Sequence, residues 1–248
     1  MFSKTLIVLV VLCSLHSIYS ASIPPAPSND KCFSPEATKE MVRAATELIT
    51  EVDVNRTILC ETITDLENTI DNALEQASQN FEKVRCKIDQ IKATIADRKN
   101  VSCPTDGQKK CLETIEKQVK ELEDALCKAQ EECGDLNEAK KKLEEIRCLV
   151  NDLSKWGCII LTKKEECRNE HKTDEHCAIS CVTDGMKDLK CQIQQQLDKI
   201  NDLAQQIRDD ACKLIQCSEC HSKELLERAC KYSDQFDECW KCNAPKAM

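Results

Sequence analysis

Residues 59–95 read LCETITDLENTIDNALEQASQNFEKVRCKIDQIKATI, and they decide the fold class. Apolar side chains recur at Leu59, Ile63, Leu66, Ile70, Leu74, Ala77, Phe81, Val84, Ile88, Ile91 and Ile95. The steps alternate between three and four, with one additional four at Ile70, which is the signature of an amphipathic helix carrying a coiled-coil-like seam with a stutter. Upstream, Ser34, Pro35 and Glu36 form a helix start, with a hydroxyl to cap, a proline at the first helical position and an acid in the first turn. Asp53 to Thr57 is a run of poor helix formers and is expected to interrupt the helix.

Beyond Lys99 the pattern breaks at Pro104 and Gly107, and Thr105 with Gln108 has the spacing of a capping box. A second stripe follows: Leu112, Ile115, Val119, Leu122, Leu126, Ala129, Cys133 and Leu136, then Leu143, Ile146, Val150 and Leu153. It keeps phase across Gly134, so the sequence permits either a stop and restart at Gly134-Asp135 or one kinked helix. A third stripe runs from Met186 through Leu189, Ile193, Leu197, Ile200, Leu203, Ile207 and Ala211 to Leu214. Short connections favour antiparallel neighbours. The expected fold is therefore all-α: long antiparallel amphipathic helices in a coiled-coil-like bundle, cross-linked by disulfides, with a cysteine-rich C-terminal cap. The cap, Cys217 to Cys242, is expected to be compact with one short helix over residues 222–232.

The chain divides into a leader (1–20), an extended proline-rich tail (21–31), a helical hairpin (32–153), a cysteine-rich connector (154–185), and a third helix with its cap (186–248). The leader combines Lys4, an apolar run from Leu6 to Leu15 and small residues at Ser20 and Ala21, which is a secretory signal pattern. It is shorter than the roughly 20 apolar residues needed to cross a bilayer, and charges recur too often elsewhere for a membrane span. Export gives the 20 cysteines their meaning. In an oxidising compartment they read as disulfides. Cys13 leaves with the leader, so the mature number is odd and a disulfide-linked homodimer is one way to use the remainder. Sequons at Asn55-Arg56-Thr57 and Asn100-Val101-Ser102 mark glycosylation acceptors, Asn100 being the better placed because it precedes a proline-containing loop.

Composition excludes several functions. Four glycines, none clustered, cannot build a phosphate-cradling loop. A net charge of -9 repels nucleic acid and anionic membranes. No nucleophile elbow is present, and paired acids such as Glu144-Glu145, Glu165-Glu166 and Asp209-Asp210 lie where helices place solvated faces. Non-enzymatic chemistry is expected, with no cofactor.

Two metal patterns compete with disulfides. Cys217-x2-Cys220 and Cys239-x2-Cys242 have the spacing of a four-thiolate zinc site, and His171 and His176 lie among further cysteines. The compartment favours disulfides for the first, and solvent exposure is the ordinary state of the second. Cys217-Ser-Glu-Cys220-His221 also spells a haem-attachment motif, for which the secretory route has no assembly apparatus. If the first two helices reverse near Cys103, Cys60 falls opposite Cys148 and Cys86 opposite Cys111, and these are the expected bridges.

The leader, helical stripes and dispersed cysteines together resemble the cysteine-rich secreted proteins of arthropod saliva, venom or gut. Cys32-Phe33 followed by Cys60 and Cys86, with the run Ala211-Cys212 to Cys217, is distantly similar to the domain typified by the tsetse midgut EP protein. That resemblance covers two pieces of the chain and implies an extracellular interaction protein. Its expected partner is another extracellular protein. The second expectation is a small apolar ligand carried between helices.

Overall fold

The computed structural model describes residues 33–101 and 103–244. The leader, the proline-rich tail and Cys32 lie outside them. Five helices follow in order: α1 (Pro35–Lys99), α2 (Asp106–Cys133), α3 (Asn137–Leu153), α4 (Trp156–Glu170) and α5 (Glu175–Cys242). They form three parallel tracks. The chain climbs along α1, returns along α2, α3 and α4 end to end, and climbs again along α5. At 1.5 Å per residue each long track is about 100 Å in length.

Side-chain pairs fix the register. α1 and α5 run parallel, tied by Ser34 with Glu175, Glu51 with Lys190, Asn80 with Ser218 and Arg98 with Asp237, at separations of 138 to 141 residues. α2 runs antiparallel to α1, with Lys92 paired to Glu123 and Lys99 to Glu116. α3 continues that direction, bringing Arg147 to Glu67 of α1 and Lys142 to Asp210 of α5.

α1 is uninterrupted. Asp53 to Thr57 stays helical because Leu48, Val52 and Leu59 on either side are buried in the core. Burial overrides weak local propensity. Threonines along this stretch also satisfy their hydroxyls within the helix, Thr50 donating to the Thr46 carbonyl at 2.9 Å and Thr57 to that of Asp53 at 3.0 Å. The start is as expected, with the Ser34 hydroxyl accepting from the Ala37 N–H at 3.2 Å. So is the capping box: the Gln108 N–H donates to Thr105 Oγ1 at 3.1 Å, and the Thr105 N–H to Gln108 Oε1 at 3.0 Å.

The middle track is cut twice. At Gly134 the backbone takes φ 71, a left-handed conformation that favours glycine, and α2 stops there. α3 restarts at Asn137, whose N–H is received by Asp135 at 2.9 Å. At Ser154 and Lys155 the chain stays near helical angles, so α3 passes into α4 with little change of direction. The expected connector at 154–185 is thus mostly helix: it supplies α4 and the first turns of α5, where Ala178 and Val182 are buried. The cysteine-rich C-terminal segment does close one end of the rod, but as the last turns of α5 rather than with a short helix of its own.

The interior falls into two apolar cores. One joins the first half of α1 to α3, α4 and the first half of α5, and includes Leu66, Ile146, Ile160 and Ile200. The other joins the second half of α1 to α2 and the end of α5, and includes Val84, Ile88, Ile115 and Leu122. Between them lies a polar waist. Buried Ser218 and Ser222 occupy seam positions on α5, Ser218 receiving a hydrogen bond from Asn80 at 3.1 Å and donating to the Ile215 carbonyl at 2.8 Å.

Candidate functional site

Among the described residues, three disulfides cross-link the tracks. Cys111–Cys239 and Cys133–Cys217 join α2 to α5, and Cys167–Cys181 joins α4 to α5, with Cα separations of 6.0, 5.5 and 5.6 Å. The expected Cys86–Cys111 bridge is replaced by Cys111–Cys239. The pairing of Lys92 with Glu123 sets Cys86 level with Ala129, about 18 residues and roughly 27 Å along α2 from Cys111. Cys86 faces solvent while Cys111 is buried. The expected Cys60–Cys148 bridge is not made either. Arg147 is level with Glu67, which leaves Cys148 roughly two turns short of Cys60. Cys148 is exposed, whereas Cys60 packs against the first core.

The zinc spacing dissolves in the same geometry. Cys217 and Cys239 sit on one continuous helix, about 33 Å apart at 1.5 Å per residue. A four-thiolate site needs its two knuckles folded onto each other. Cys217 is also committed to Cys133, which removes one sulfur from the haem-like motif. His221 stands beside that bridge, its Nε2 3.5 Å from Glu132. His171 terminates α4, and its ligand atom lies within 4.8 Å of those of Glu170 and Cys181, but Cys181 is bonded to Cys167. His176 stands in the first turn of α5.

Most members of the acidic pairs are matched by cations, while Asp209 accepts from the Gln205 amide at 2.9 Å. Glu144 pairs with Arg147, Glu145 with Lys199 at 2.7 Å, Glu165 with Lys164 at 3.0 Å, and Asp210 with Lys142 at 2.7 Å. The Lys142 hydrogen bond holds the Asp210 carboxyl below its ordinary value, with Lys213 adding to the effect. A depressed carboxyl stabilises the fold above about pH 4, and that contribution is lost as the pH falls through the lowered value. Both side chains are about a quarter exposed, so the tie is worth at most ~1 kcal/mol. The expected result is that Asp210→Asn costs about that much at neutral pH and nothing in strong acid. Urea unfolding at both conditions checks it, and equal losses at both would refute the sign.

Asn55 is half-buried within α1, whereas Asn100 is exposed at its C-terminus. Near that end a cluster appears that the sequence did not signal. Arg98 pairs with Asp237 and lies 4.8 Å from the centroid of Phe236 and 5.3 Å from that of Trp240. Its Nη1 is buried without a hydrogen-bond partner among the described residues, and the ring faces meet its charge. Trp240 shares the second core with Cys239, but its specific contacts are Arg98 and Phe236; Trp156 instead donates to Gln196 at 2.9 Å. Nothing in the local sequence links residues 139 apart.

Of the large apolar side chains exposed among the described residues, Val42, Val54, Ile58, Ile159 and Leu161 belong to α1 before its midpoint or to α4, and Val101 lies at the opposite end. Val42, Thr46, Thr50, Val54 and Ile58 follow one another at four-residue steps, an uncharged β-branched ridge on the outside of α1. A shallow groove of about 460 Å³ lies along its first part, lined by Lys39, Val42, Arg43, Thr46, Glu47 and Thr50, and stops short of Val54 and Ile58.

No family model, curated protein or solved structure matches the chain. No described helix is long and apolar enough to cross a membrane.

Proposed function

We propose that this is a secreted, glycosylated, non-catalytic rod that binds another extracellular protein through the α1 ridge. The observation that carries the reading is the uncharged line Val42, Thr46, Thr50, Val54 and Ile58 winding across the outside of α1, with Ile159 and Leu161 of α4 exposed along the same half of the rod. Apolar side chains left together in water favour a protein contact. The carboxylates support a structural role, since they are matched to lysine and arginine rather than set against one another as acid and base. The disulfides suit an oxidising compartment, and exposed Asn100 is the glycan acceptor of choice.

The carrier reading has less support. Leu66, Ile146, Ile200 and Ile207 are completely covered, and the ridge groove opens to solvent.

The test is affinity capture from extracellular fluid with the oxidised, glycosylated protein, set beside the double variant Val54→Asp, Ile58→Asp. Both side chains are more than half exposed, so the variant should fold normally. A protein partner bound by the native chain should be lost at least tenfold with the variant. Equal capture by both would overturn the ridge, and a chain recovered with its leader attached and all thiols reduced would overturn secretion.

A further inference from the structure

Each described bridge has a third cysteine one helical turn away on α5. Cys242 follows Cys239 by three residues, Cys220 follows Cys217 by three, and Cys177 precedes Cys181 by four; all three are exposed and in no bridge among the described residues. Positions three or four apart on a helix hold their Cβ atoms about 5–6 Å from each other, so each of these thiols stands beside a disulfide.

The three places differ. Cys177 follows the N-cap of α5, and a side-chain hydrogen bond with Asp174, reinforced by that residue's charge, pushes its thiol up from the ordinary value. A thiol kept protonated is a poor nucleophile. Cys217 and Cys220 lie inside the unbroken length of α5, where joining them would distort helix on both sides. Cys242 is the last residue of α5, so the turn holding it can adjust. Here too a donor meets the sulfurs: Asn243 Nδ2 lies 3.7 Å from Cys111 Sγ and 3.9 Å from Cys239 Sγ, while donating to the Cys239 carbonyl at 2.8 Å. The start of α2 is fitted closely against this turn. A Cβ on Gly107 would clash with the Asn243 side chain, and Thr105 Oγ1 donates to the Asn243 carbonyl at 2.8 Å.

We propose that Cys111, Cys239 and Cys242 form a thiol–disulfide exchange site that locks and unlocks this end of the rod. The Cys242 thiol gives its proton to solvent, and its thiolate attacks Cys239 Sγ. A Cys242–Cys239 bond forms as the Cys239–Cys111 bond breaks. The electron pair leaves on Cys111 sulfur, which the Asn243 amide faces and which then takes a proton from solvent. One disulfide is consumed and one made, so no outside oxidant or reductant enters. The bridge has moved from between α2 and α5 to within the last turn of α5, and α2 is no longer tied at Cys111.

The experiment is alkylation of the native, full-length protein with N-ethylmaleimide, followed by digestion and mass mapping of labelled and bridged peptides. Alkylated Cys111 should appear together with a Cys239–Cys242 bridge, at a rate that rises with pH because the thiolate is the attacking species. Cys242→Ser should abolish Cys111 labelling, whereas Cys220→Ser should leave it unchanged. Cys111 unlabelled at every pH, Cys111 labelled equally in the Cys242→Ser protein, or Cys242 found bridged to any other cysteine at isolation would each overturn the proposal.

Discussion

A chain with both Cys133 and Cys217 changed to serine should be about 4 kcal/mol less stable than the native protein, the largest single effect expected here together with the core change below. The bridge joins residues 84 apart, and restricting so long a loop in the unfolded chain stabilises the folded one in proportion to the logarithm of its length. On the same relation, removing Cys167–Cys181, which spans 14 residues, should cost roughly 3 kcal/mol. The place of the bridge adds a second expectation. It sits at the polar waist, where Ser218 and Ser222 of α5 hold seam positions that elsewhere carry Leu, Ile or Ala, and Asn80 reaches Ser218 from the flank of α1. Between Leu214 and Leu225 α5 contributes no fully buried apolar side chain, so the two cores are coupled there through α1 and through Cys133, which packs against both. The two tryptophans report on them separately, since Trp156 packs on the first core and Trp240 on the second. In the native protein their fluorescence changes should coincide during denaturation; in the double-serine chain they should come apart. Coincident transitions in that chain, with a loss no larger than that of the Cys167–Cys181 pair, would mean the waist is held by something other than the bridge.

Leu66→Ala should cost about 2–5 kcal/mol. Leu66 is completely buried in the first core, where α1 meets α3 and α5. A rod three helices thick has few neighbouring atoms that can move in to fill the space. Val54→Ala, on the exposed ridge, should fall within about 0.5 kcal/mol of the native value. Denaturant midpoints for the two variants measure the contrast. A Leu66→Ala loss under about 1 kcal/mol would show that this layer is loosely packed.

What the sequence made legible follows from which side chains fill the seams. Leu59 to Ile95 carries apolar residues at every inward position, and most of the stripe read there is buried; Ile63 and Leu74 are half-buried, and Ala73 takes an inward place beside Leu74. The end of α5 was hidden because two of its inward positions are Ser218 and Ser222, whose hydroxyls are satisfied by Asn80 and by carbonyls of their own helix. A periodicity of apolar residues cannot register a serine that is buried by virtue of a partner 138 residues away. α4 escaped notice for a related reason: only Ile160 and Cys167 on it are buried. The bridges were illegible in another sense. Pairing depends on register, and an error of two turns between antiparallel helices sends every cysteine to a different neighbour. The candidate site shares both difficulties. The Val42–Ile58 ridge is a plain four-residue spacing once α1 is known to be continuous, whereas the Cys111–Cys239–Cys242 group exists only because α5 runs parallel to α1 and ends against the start of α2.

That α1 and α5 point the same way has one more consequence. Phe33 and Ala244 emerge at opposite poles, about 100 Å apart by helix rise. Anything attached before the first helix is thereby held a fixed stride away from anything attached after the last.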